Sequence, residues 1–422
     1  MILTLQKSDI SGKAILPGSK SHTLRALFFS SLAGGTSVIK TPLISDTTMA
    51  AADTCRAFGA DIMLKDGTFY VKGFGRHPNS PDGIIDTRNS GTALSFGLAV
   101  AALGNEWTVL TGDSQVSARP LDPLIAALNN LGGHVFSANS NGKPPVAVKG
   151  RIKGGRTEID AMTSQFLSAL LIAAPLLEHD TIIDVTRISE TPYVEMTLEW
   201  LGKQRIKIKR DGLTHYEIKG NQKYKPFKAN ITGDFSSAAY FAVLAAMTKN
   251  EITLENVDFK DSQGDKLIFD VIRSMGADVD IQADTVTVKG DTLKGMVIDM
   301  NSFPDALPAM AVAGCFAEGE TRLVNVAQAR MKDTDRISAM CSELKKMGAD
   351  ISESEDGLVI RQSKLYGCRV EGHNDDRVVM ALAIAGLSID GITSISTAEA
   401  VKTTFPQFIE ILQACGGTIL LQ

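Results

Sequence analysis

One pattern recurs six times along this chain: an apolar helix ends at a Gly and a strand follows. Successive glycines are separated by 73, 70, 74, 72 and 68 residues, at Gly59, Gly132, Gly202, Gly276, Gly348 and Gly416. A Gly just past a helix end takes the left-handed conformation without the steric penalty of a Cβ. The spacing therefore predicts six copies of one α/β unit, three in each of two domains.

The segments between these glycines support this interpretation. Ile337, Met340, Leu344 and Met347 recur at helical spacing before Gly348, which predicts an amphipathic helix. Residues 251–257 and 321–326 alternate apolar and polar side chains, as strands do. The polar stretch 224–230, with a single Pro, predicts the crossing between the two domains. Two domains also predict a cleft between them, where ligands are commonly bound.

Composition excludes several classes of protein. With 422 residues, 44% hydrophobic, 22% charged and a net charge of −5, the chain resembles neither a disordered protein nor a nucleic-acid binder. The apolar runs 167–177 and 306–317 are too short to span a bilayer, and the start is not a secretory signal, so we expect a cytoplasmic protein. Five scattered Cys and six His lack metal-ligand spacing, so no metal is predicted.

Residues 16–25 indicate an anion site. Pro17 and Gly18 predict a turn, and Ser21 or Thr23 is expected to cap the helix that follows. Lys20, Ser21 and Arg25 at such a helix start would hold a phosphate. The segment is not a Walker A loop, because Ser19 separates Gly18 from Lys20, so ATP use is not supported. Read alone, the same residues also fit a surface turn with solvated charges.

Further charged and polar positions extend the pattern. Gly91 opens an apolar helix and leaves room for a ligand, and Arg119 precedes Pro120. Residues 161–166 fit a phosphate-binding helix start and an ordinary cap equally well. Asp305 lies at the mouth of an apolar helix and is a candidate base. Lys332 and Arg336 are four residues apart, so a helix would present both on one face.

Seven motifs carry a resemblance to a known family. They are Leu-Pro-Gly-Ser-Lys-Ser at 16–21 with Arg25, Asn-x-Gly-Thr-Ala at 89–93, Arg-Pro at 119–120, Ser-Gln-Phe-Leu at 164–167, Gly-Asp-x-Ser-Ser-Ala-x-Tyr-Phe at 233–241, Pro-Asp-Ala at 304–306 and Lys-x-Thr-Asp-Arg at 332–336. Their order, with Phe405-Pro406 following them so that the match runs from Leu16 to Pro406, resembles that of the 5-enolpyruvylshikimate-3-phosphate synthase family, the 3-phosphoshikimate 1-carboxyvinyltransferases.

This resemblance implies a two-domain inside-out α/β barrel, each domain made of three βαβαββ repeats with pseudo-threefold symmetry. It implies one domain of residues 15–228 and another of residues 229–422 with 1–14, because the first strand belongs to the C-terminal half. The active site would lie in the cleft between them.

The implied reaction transfers the enolpyruvyl group of phosphoenolpyruvate to the 5-hydroxyl of shikimate 3-phosphate and releases phosphate. It implies no cofactor and no metal, and we expect a monomer without nucleic-acid or membrane partners. The residues implied to bind shikimate 3-phosphate are Lys20, Ser21, Arg25, Thr163, Ser164, Gln165, Asp305, Gln328 and Lys332. Those implied to bind phosphoenolpyruvate are Lys20, Gly91, Arg119, Gln165, Arg336, Arg377 and Lys402.

The resemblance also implies catalytic roles. Asp305 would be the base for the 5-hydroxyl, and Asp333 or Lys20 would protonate the methylene carbon. The chain departs from the family pattern at five of these or neighbouring positions: Asp333 replaces Glu, Asp376 replaces His, Gln328 replaces Asn, Ser95 replaces Arg, and Glu190, beside Ser189, replaces Ser.

Two other functions compete with this one. The sister transferase acting on UDP-N-acetylglucosamine normally has a Cys in the loop before the Arg corresponding to Arg119, and residues 112–118 contain none. A catalytically impaired homologue that binds phosphorylated metabolites is the second alternative, motivated by Asp333, Gln328 and Asp376. The related RNA-phosphate cyclases are disfavoured by the acidic charge and the lack of a nucleotide motif.

Overall fold

A computed structural model describes residues 1–422, which divide into two compact units. Unit 1 consists of Met1–Pro17 and Thr232–Gln422, and unit 2 of Gly18–Ile231. Both boundaries lie three residues later than the expected ones, after residues 14 and 228. They fall there because the strand at Gly12–Ile15 pairs within unit 1 and the strand at Lys228–Asn230 pairs within unit 2.

The chain contains 24 strands. In order they are β1 Leu3–Gln6, β2 Gly12–Ile15, β3 Gly34–Lys40, β4 Asp61–Lys65, β5 Thr68–Phe74, β6 Ile85–Asp86, β7 Thr108–Thr111, β8 His134–Ser137, β9 Val146–Lys149, β10 Gly155–Ala161, β11 Thr181–Ile188, β12 Ile208–Asp211, β13 His215–Ile218, β14 Lys228–Asn230, β15 Glu251–Glu255, β16 Asp278–Ile281, β17 Thr285–Lys289, β18 Val297–Asp299, β19 Glu320–Val324, β20 Asp350–Ser354, β21 Gly357–Arg361, β22 Arg369–Glu371, β23 Ile392–Ser396 and β24 Thr418–Leu421.

Thirteen α-helices connect them. They are α1 Lys20–Ser31, α2 Asp46–Ala57, α3 Gly91–Ala101, α4 Ser114–Ser117, α5 Asp122–Asn130, α6 Ser164–Ala173, α7 Thr191–Lys203, α8 Phe235–Met247, α9 Leu267–Met275, α10 Leu307–Phe316, α11 Arg336–Lys346, α12 Asp376–Ser388 and α13 Phe408–Ala414. Short 3-10 helices lie at Ala174–Leu176, Gly264–Lys266, Pro304–Ala306, Ala327–Met331 and Ala398–Thr403. No helix combines the length and apolar character needed to cross a bilayer.

Six four-stranded sheets share one topology, and they confirm the predicted α/β fold of six copies. In the order β18-β19-β21-β20, the first two strands are parallel and the remaining pairs antiparallel. Unit 2 repeats this arrangement in β14-β3-β5-β4, β6-β7-β9-β8 and β10-β11-β13-β12. In addition to β18-β19-β21-β20, unit 1 contains the sheets β2-β15-β17-β16 and β22-β23-β1-β24. In the last sheet β1 pairs with β23 and β24, so the start of the chain completes the sixth copy.

Each unit has a core of apolar helices that follow the first strand of a copy. In unit 1, α8, α10 and α12 pack against one another. All 13 residues of α8 are buried, and none of them is charged, which explains why this helix lies inside. In unit 2, α1 and α6 both pack against α3. Helices that follow the second strand, such as α11, bury only one face, including Ile337, Met340 and Leu344 as predicted.

The predicted Gly termini hold for five of the six helices. Gly59, Gly132, Gly276, Gly348 and Gly416 have φ between 97° and 124°, in the left-handed region. The prediction was wrong for Gly202, which lies inside α7. Arg205, with φ 57°, makes the turn there instead, and its amide donates to the Gly202 carbonyl.

Candidate active site

The start of α1 is a fixed element of unit 2. Ser19 caps this helix by accepting from the His22 amide, so the prediction that Ser21 or Thr23 would cap it was wrong. A Cβ at Gly18 would lie 2.2 Å from the Thr41 carbonyl oxygen, so only Gly allows this close approach. Lys20 and Ser21 form the first turn, where amide donors and the helix dipole favour an anion.

Arg25 lies one turn further along α1 and is buried. Its guanidinium donates to Thr197 Oγ1 at 2.9 Å, the Tyr193 carbonyl at 2.6 Å and the Ser21 carbonyl at 3.2 Å. Burial lowers the pKa of Arg25 to about 10, so it remains cationic at neutral pH. These bonds join α1 to α7, and binding of substrate by Arg25 stays a prediction.

Gly91, Arg119 and Gln165 converge in unit 2. A Cβ at Gly91, the first residue of α3, would lie 2.7 Å from Arg119 Nη1 and 3.3 Å from Gln165 Oε1. Three residues from separate motifs are thus brought together around a position without a side chain. An anion held here would meet a guanidinium and a side-chain amide.

The start of α6 holds a buried carboxylate. Strands β10 and β11 are parallel, and Ala161 pairs with Ile188, so the loops after them lie side by side. Glu190 Oε2 accepts from Ser164 Oγ at 2.9 Å, the Ser164 amide at 3.2 Å and Thr163 Oγ1 at 3.3 Å. Two residues expected to hold a phosphate therefore already contact an anion of the protein.

Arg336 is the centre of the charged cluster in unit 1. Its guanidinium donates to Asp375 at 2.8 Å, Asp305 at 2.9 Å and Asp333 at 3.2 Å, and lies 3.8 Å from Asp376. Burial alone would lower the pKa of Arg336, but the four carboxylates raise it well above its ordinary value. Burial raises the pKa of Asp375 to about 6, an effect that Arg336 opposes and the neighbouring carboxylates reinforce.

Arg377 is the second guanidinium of this cluster. It is 1% exposed, and none of its three side-chain nitrogens has a hydrogen-bond partner. Asp305 Oδ2 and Asp376 Oδ2 each lie 3.6 Å away, and the Tyr240 ring packs 5.9 Å from the guanidinium carbon. The hydroxyl of Thr404 donates to Asp376. Arg377 is therefore a dehydrated cation with unused donors.

The segment before α11 is held by Arg330. This guanidinium donates to Asp335 and Glu353 and to the Ser354 carbonyl, which fixes the segment to the β20–β21 hairpin. The prediction of a helix over Lys332 and Arg336 was wrong, because Asp335 caps α11 by accepting from the Ser338 amide and the helix begins only at Arg336. Lys332 instead follows a 3-10 helix in extended backbone.

Gln328 and Lys402, two further predicted residues of unit 1, differ in their exposure. Gln328 is 7% exposed, and its amide nitrogen has no hydrogen-bond partner. Lys402 is exposed and lies in the 3-10 helix Ala398–Thr403, just before Thr404, which contacts Asp376. Gln328 offers buried donors to a ligand, whereas Lys402 offers a solvated charge.

The predicted residues thus divide between the two units. Unit 2 holds Lys20, Ser21, Arg25, Gly91, Arg119, Thr163, Ser164 and Gln165, and unit 1 holds Asp305, Gln328, Lys332, Asp333, Arg336, Arg377 and Lys402. The sequence interpretation missed Asp375 and Tyr240. Asp375 had a local signal, since an Asp before an apolar helix is a common cap, and it accepts from the Arg377 and Val378 amides. Tyr240 belongs to the motif at 233–241, but the sequence assigned no role to it.

Comparison with known proteins shows which class of protein shares this architecture. The structure of the enolpyruvyl transferase NikO from Streptomyces tendae has a TM-score of 0.78 at 17% identity, covering 99% of this chain and 98% of that one. EPSP synthase from Acinetobacter baumannii has a TM-score of 0.84 at 28% identity, covering 99% of both chains. The fold is therefore that of the enolpyruvyl transferases.

Sequence similarity identifies the family within this class. A family model described as EPSP synthase (3-phosphoshikimate 1-carboxyvinyltransferase) matches residues 5–412, and the chain belongs to this family. A 3-phosphoshikimate 1-carboxyvinyltransferase from Acetivibrio thermocellus is 56% identical over 419 residues, 99% of each chain. One from Ruminiclostridium cellulolyticum is 53% identical over 421 residues, the full length of both.

Proposed function

We propose that this protein transfers the enolpyruvyl group of phosphoenolpyruvate to the 5-hydroxyl of shikimate 3-phosphate. The hydroxyl oxygen attacks C2 of phosphoenolpyruvate while its proton goes to a base, and C3 gains a proton, giving a tetrahedral intermediate. Loss of phosphate and of one methyl proton then restores the double bond in the product. Membership of the family supports this reaction.

One observation of the structure carries the proposal: Arg377 is buried with unused donors next to Asp305. A guanidinium is the side chain best suited to bind a carboxylate through two parallel hydrogen bonds. Its neighbour Asp305 lies at the start of an apolar helix, and a carboxylate held in position can accept a proton from a substrate hydroxyl. The site therefore combines a binder for the carboxylate of phosphoenolpyruvate with a proton acceptor.

The remaining residues divide between the two substrates. We propose that the residues binding shikimate 3-phosphate include Ser21, Arg25, Thr163, Ser164, Gln328 and Lys332. Those binding phosphoenolpyruvate include Gly91, Arg119, Arg336 and Lys402 besides Arg377. Lys20, Gln165 and Asp305 would contact both substrates or the atoms that react. The two groups of residues would act on one pair of substrates. The substrates carry about five negative charges, which explains the number of basic side chains.

The proton donor to C3 is the open catalytic role. Asp333 accepts a hydrogen bond from Arg336 and is one candidate. Lys20 is the alternative donor. Asp333→Asn and Lys20→Met distinguish them. Loss of solvent-proton incorporation at C3 in one variant, with both substrates still bound, would assign the role.

The test of the function is release of inorganic phosphate. Purified protein should release it from phosphoenolpyruvate only when shikimate 3-phosphate is present, and should form one enolpyruvyl product per phosphate. Release with UDP-N-acetylglucosamine instead would favour the sister activity. Binding of both substrates without turnover would favour the impaired homologue. We also propose that the 45.1 kDa chain acts as a cytoplasmic monomer, which sedimentation during turnover would test.

A further inference from the structure

Glu190 is a buried carboxylate to which the proposed reaction gives no role. It is 2% exposed and stands at φ 56° and ψ 45°, in the left-handed region, between β11 and α7. An Asp, Asn, Ser or Thr just before a helix commonly caps that helix with its own side chain. Glu190 makes no such bond to α7, and its carboxylate reaches the start of α6 instead.

The contacts of Glu190 are those expected for a bound anion. One carboxylate oxygen, Oε2, accepts from an amide and two hydroxyls of Ser164 and Thr163, at 2.9 to 3.3 Å. The amide lies at the positive end of the α6 dipole. Ser164 is itself buried, so the carboxylate replaces water at these donors.

These donors are the ones proposed above to hold the phosphate group of shikimate 3-phosphate, and the inference rests on that proposed function. A phosphate oxygen and Oε2 cannot accept the same hydrogen bonds at once. Two anions in contact at a buried helix start would also repel each other strongly. Binding of the phosphate therefore requires the Glu190 carboxylate to leave.

We infer that Glu190 is an internal anion that competes with the substrate phosphate for the start of α6. In the free protein it stabilises the helix start. In the complex the Glu190 carboxylate is displaced. The hydrogen bonds that the phosphate gains from Thr163 and Ser164 therefore replace those that Glu190 loses. Glu190 thereby lowers the affinity for the phosphorylated substrate and for the phosphorylated product. It is a residue that sets specificity between phosphorylated and unphosphorylated shikimate.

The test compares two ligands that differ only in the phosphate group. Titration calorimetry measures the affinities of shikimate 3-phosphate and shikimate for the wild type, Glu190→Gln and Glu190→Ser. We expect shikimate 3-phosphate to bind both variants about tenfold more tightly, because a charge-assisted bond no longer opposes it. Shikimate affinity should change less than twofold. The phosphate-dependent ratio is a readout that a purely structural role of Glu190 would leave unchanged.

Glu195→Gln is the matched control. It removes the same charge from α7, the helix that Glu190 directly precedes, but Glu195 is partly exposed and pairs with Arg210 at 2.6 Å. Both affinities should equal those of the wild type. Thermal unfolding adds a second measurement: the free Glu190→Gln protein should unfold at a lower temperature than the wild type, while shikimate 3-phosphate should raise its midpoint further than it raises that of the wild type.

Equal or weaker binding of shikimate 3-phosphate by both Glu190 variants would overturn the inference, because the carboxylate would then not oppose the phosphate. Failure of the proposed function is recognised separately, by a wild type that neither binds shikimate 3-phosphate nor releases phosphate with it. A wild type that is active while its Glu190 variants bind no more tightly refutes only the inference.

Discussion

Replacing Arg377 tests the buried, unused guanidinium directly. The side chain is already dehydrated, so a substrate carboxylate would gain its hydrogen bonds without the cost of stripping water from the arginine. Two charge-assisted hydrogen bonds contribute about 1.5–3 kcal/mol each. We take the low end, about 3 kcal/mol together, because Asp305 and Asp376 lie 3.6 Å away and repel the incoming carboxylate.

This free energy corresponds to an increase of about 150-fold in KM for phosphoenolpyruvate in Arg377→Gln. Arg377→Lys keeps the charge and loses the fork, so an increase of about tenfold is expected. The assay is steady-state phosphate release with phosphoenolpyruvate varied at saturating shikimate 3-phosphate. Affinity for shikimate 3-phosphate, measured alone by calorimetry, should change less than twofold.

Arg361→Gln is the control for loss of an arginine in the same unit, since Arg361 is exposed and pairs with Glu320 at 2.7 Å. It should leave both parameters unchanged. If Arg377→Gln leaves KM for phosphoenolpyruvate near the wild-type value, or weakens both substrates equally, Arg377 does not bind the carboxylate. The reasoning from its unused donors would then be refuted.

Three further predictions follow from the geometry. Asp305→Asn keeps the shape of the side chain and its bond to Arg336 but removes the base, so kcat should fall about 10²–10⁴-fold with little change in KM; a rise in KM as the main effect would contradict this. Gly91→Ala places a Cβ 2.7 Å from Arg119 Nη1, so KM for phosphoenolpyruvate should rise about tenfold while shikimate 3-phosphate affinity holds; an unchanged KM would show that Arg119 is not involved. Burial raises the pKa of Asp375 from 3.8 to about 6, so its contribution to stability falls as pH rises through that window. The free energy of unfolding of Asp375→Asn, relative to that of the wild type, should therefore rise by up to about 3 kcal/mol between pH 4 and 7. Unfolding midpoints measured across this pH range test it, and a difference that does not depend on pH would disprove the raised pKa.

The fold could be predicted because its signal is repeated and local. Most of these helix ends carry a Gly suited to the left-handed region, and the five spacings between the six glycines all lie between 68 and 74 residues. Gly202 shows the limit of this signal. The apolar face of α7 continues through Leu201 to the end of the helix, and Arg205 tolerates φ 57° there. Packing therefore overrode the glycine preference at that end.

The start of α11 could have been predicted more accurately from the same local rules. Asp335 precedes Ser338 by three residues, the spacing of a capping side chain and the amide it accepts from. That cap excludes Lys332 from the helix, so helical spacing between Lys332 and Arg336 had no meaning. A capping residue marks the residue at which a helix begins, whereas a pattern of charges is compatible with many backbone conformations. Where the two conflict, the capping residue is the better guide to the start of the helix.

What the sequence could not reveal is which charges are available to a ligand. Counting arginines and lysines treats Arg25, Arg336 and Arg377 alike, but their partners come from distant segments. Arg25 is bonded to α7, Arg336 is surrounded by four carboxylates, and only Arg377 of the three has guanidinium nitrogens without hydrogen bonds. Two guanidinium charges against four carboxylates leave the unit 1 cluster with an excess of negative charge unless some are protonated. An anionic substrate must therefore displace or protonate carboxylates already in place, so affinity depends as much on how readily those acids yield as on the number of cations.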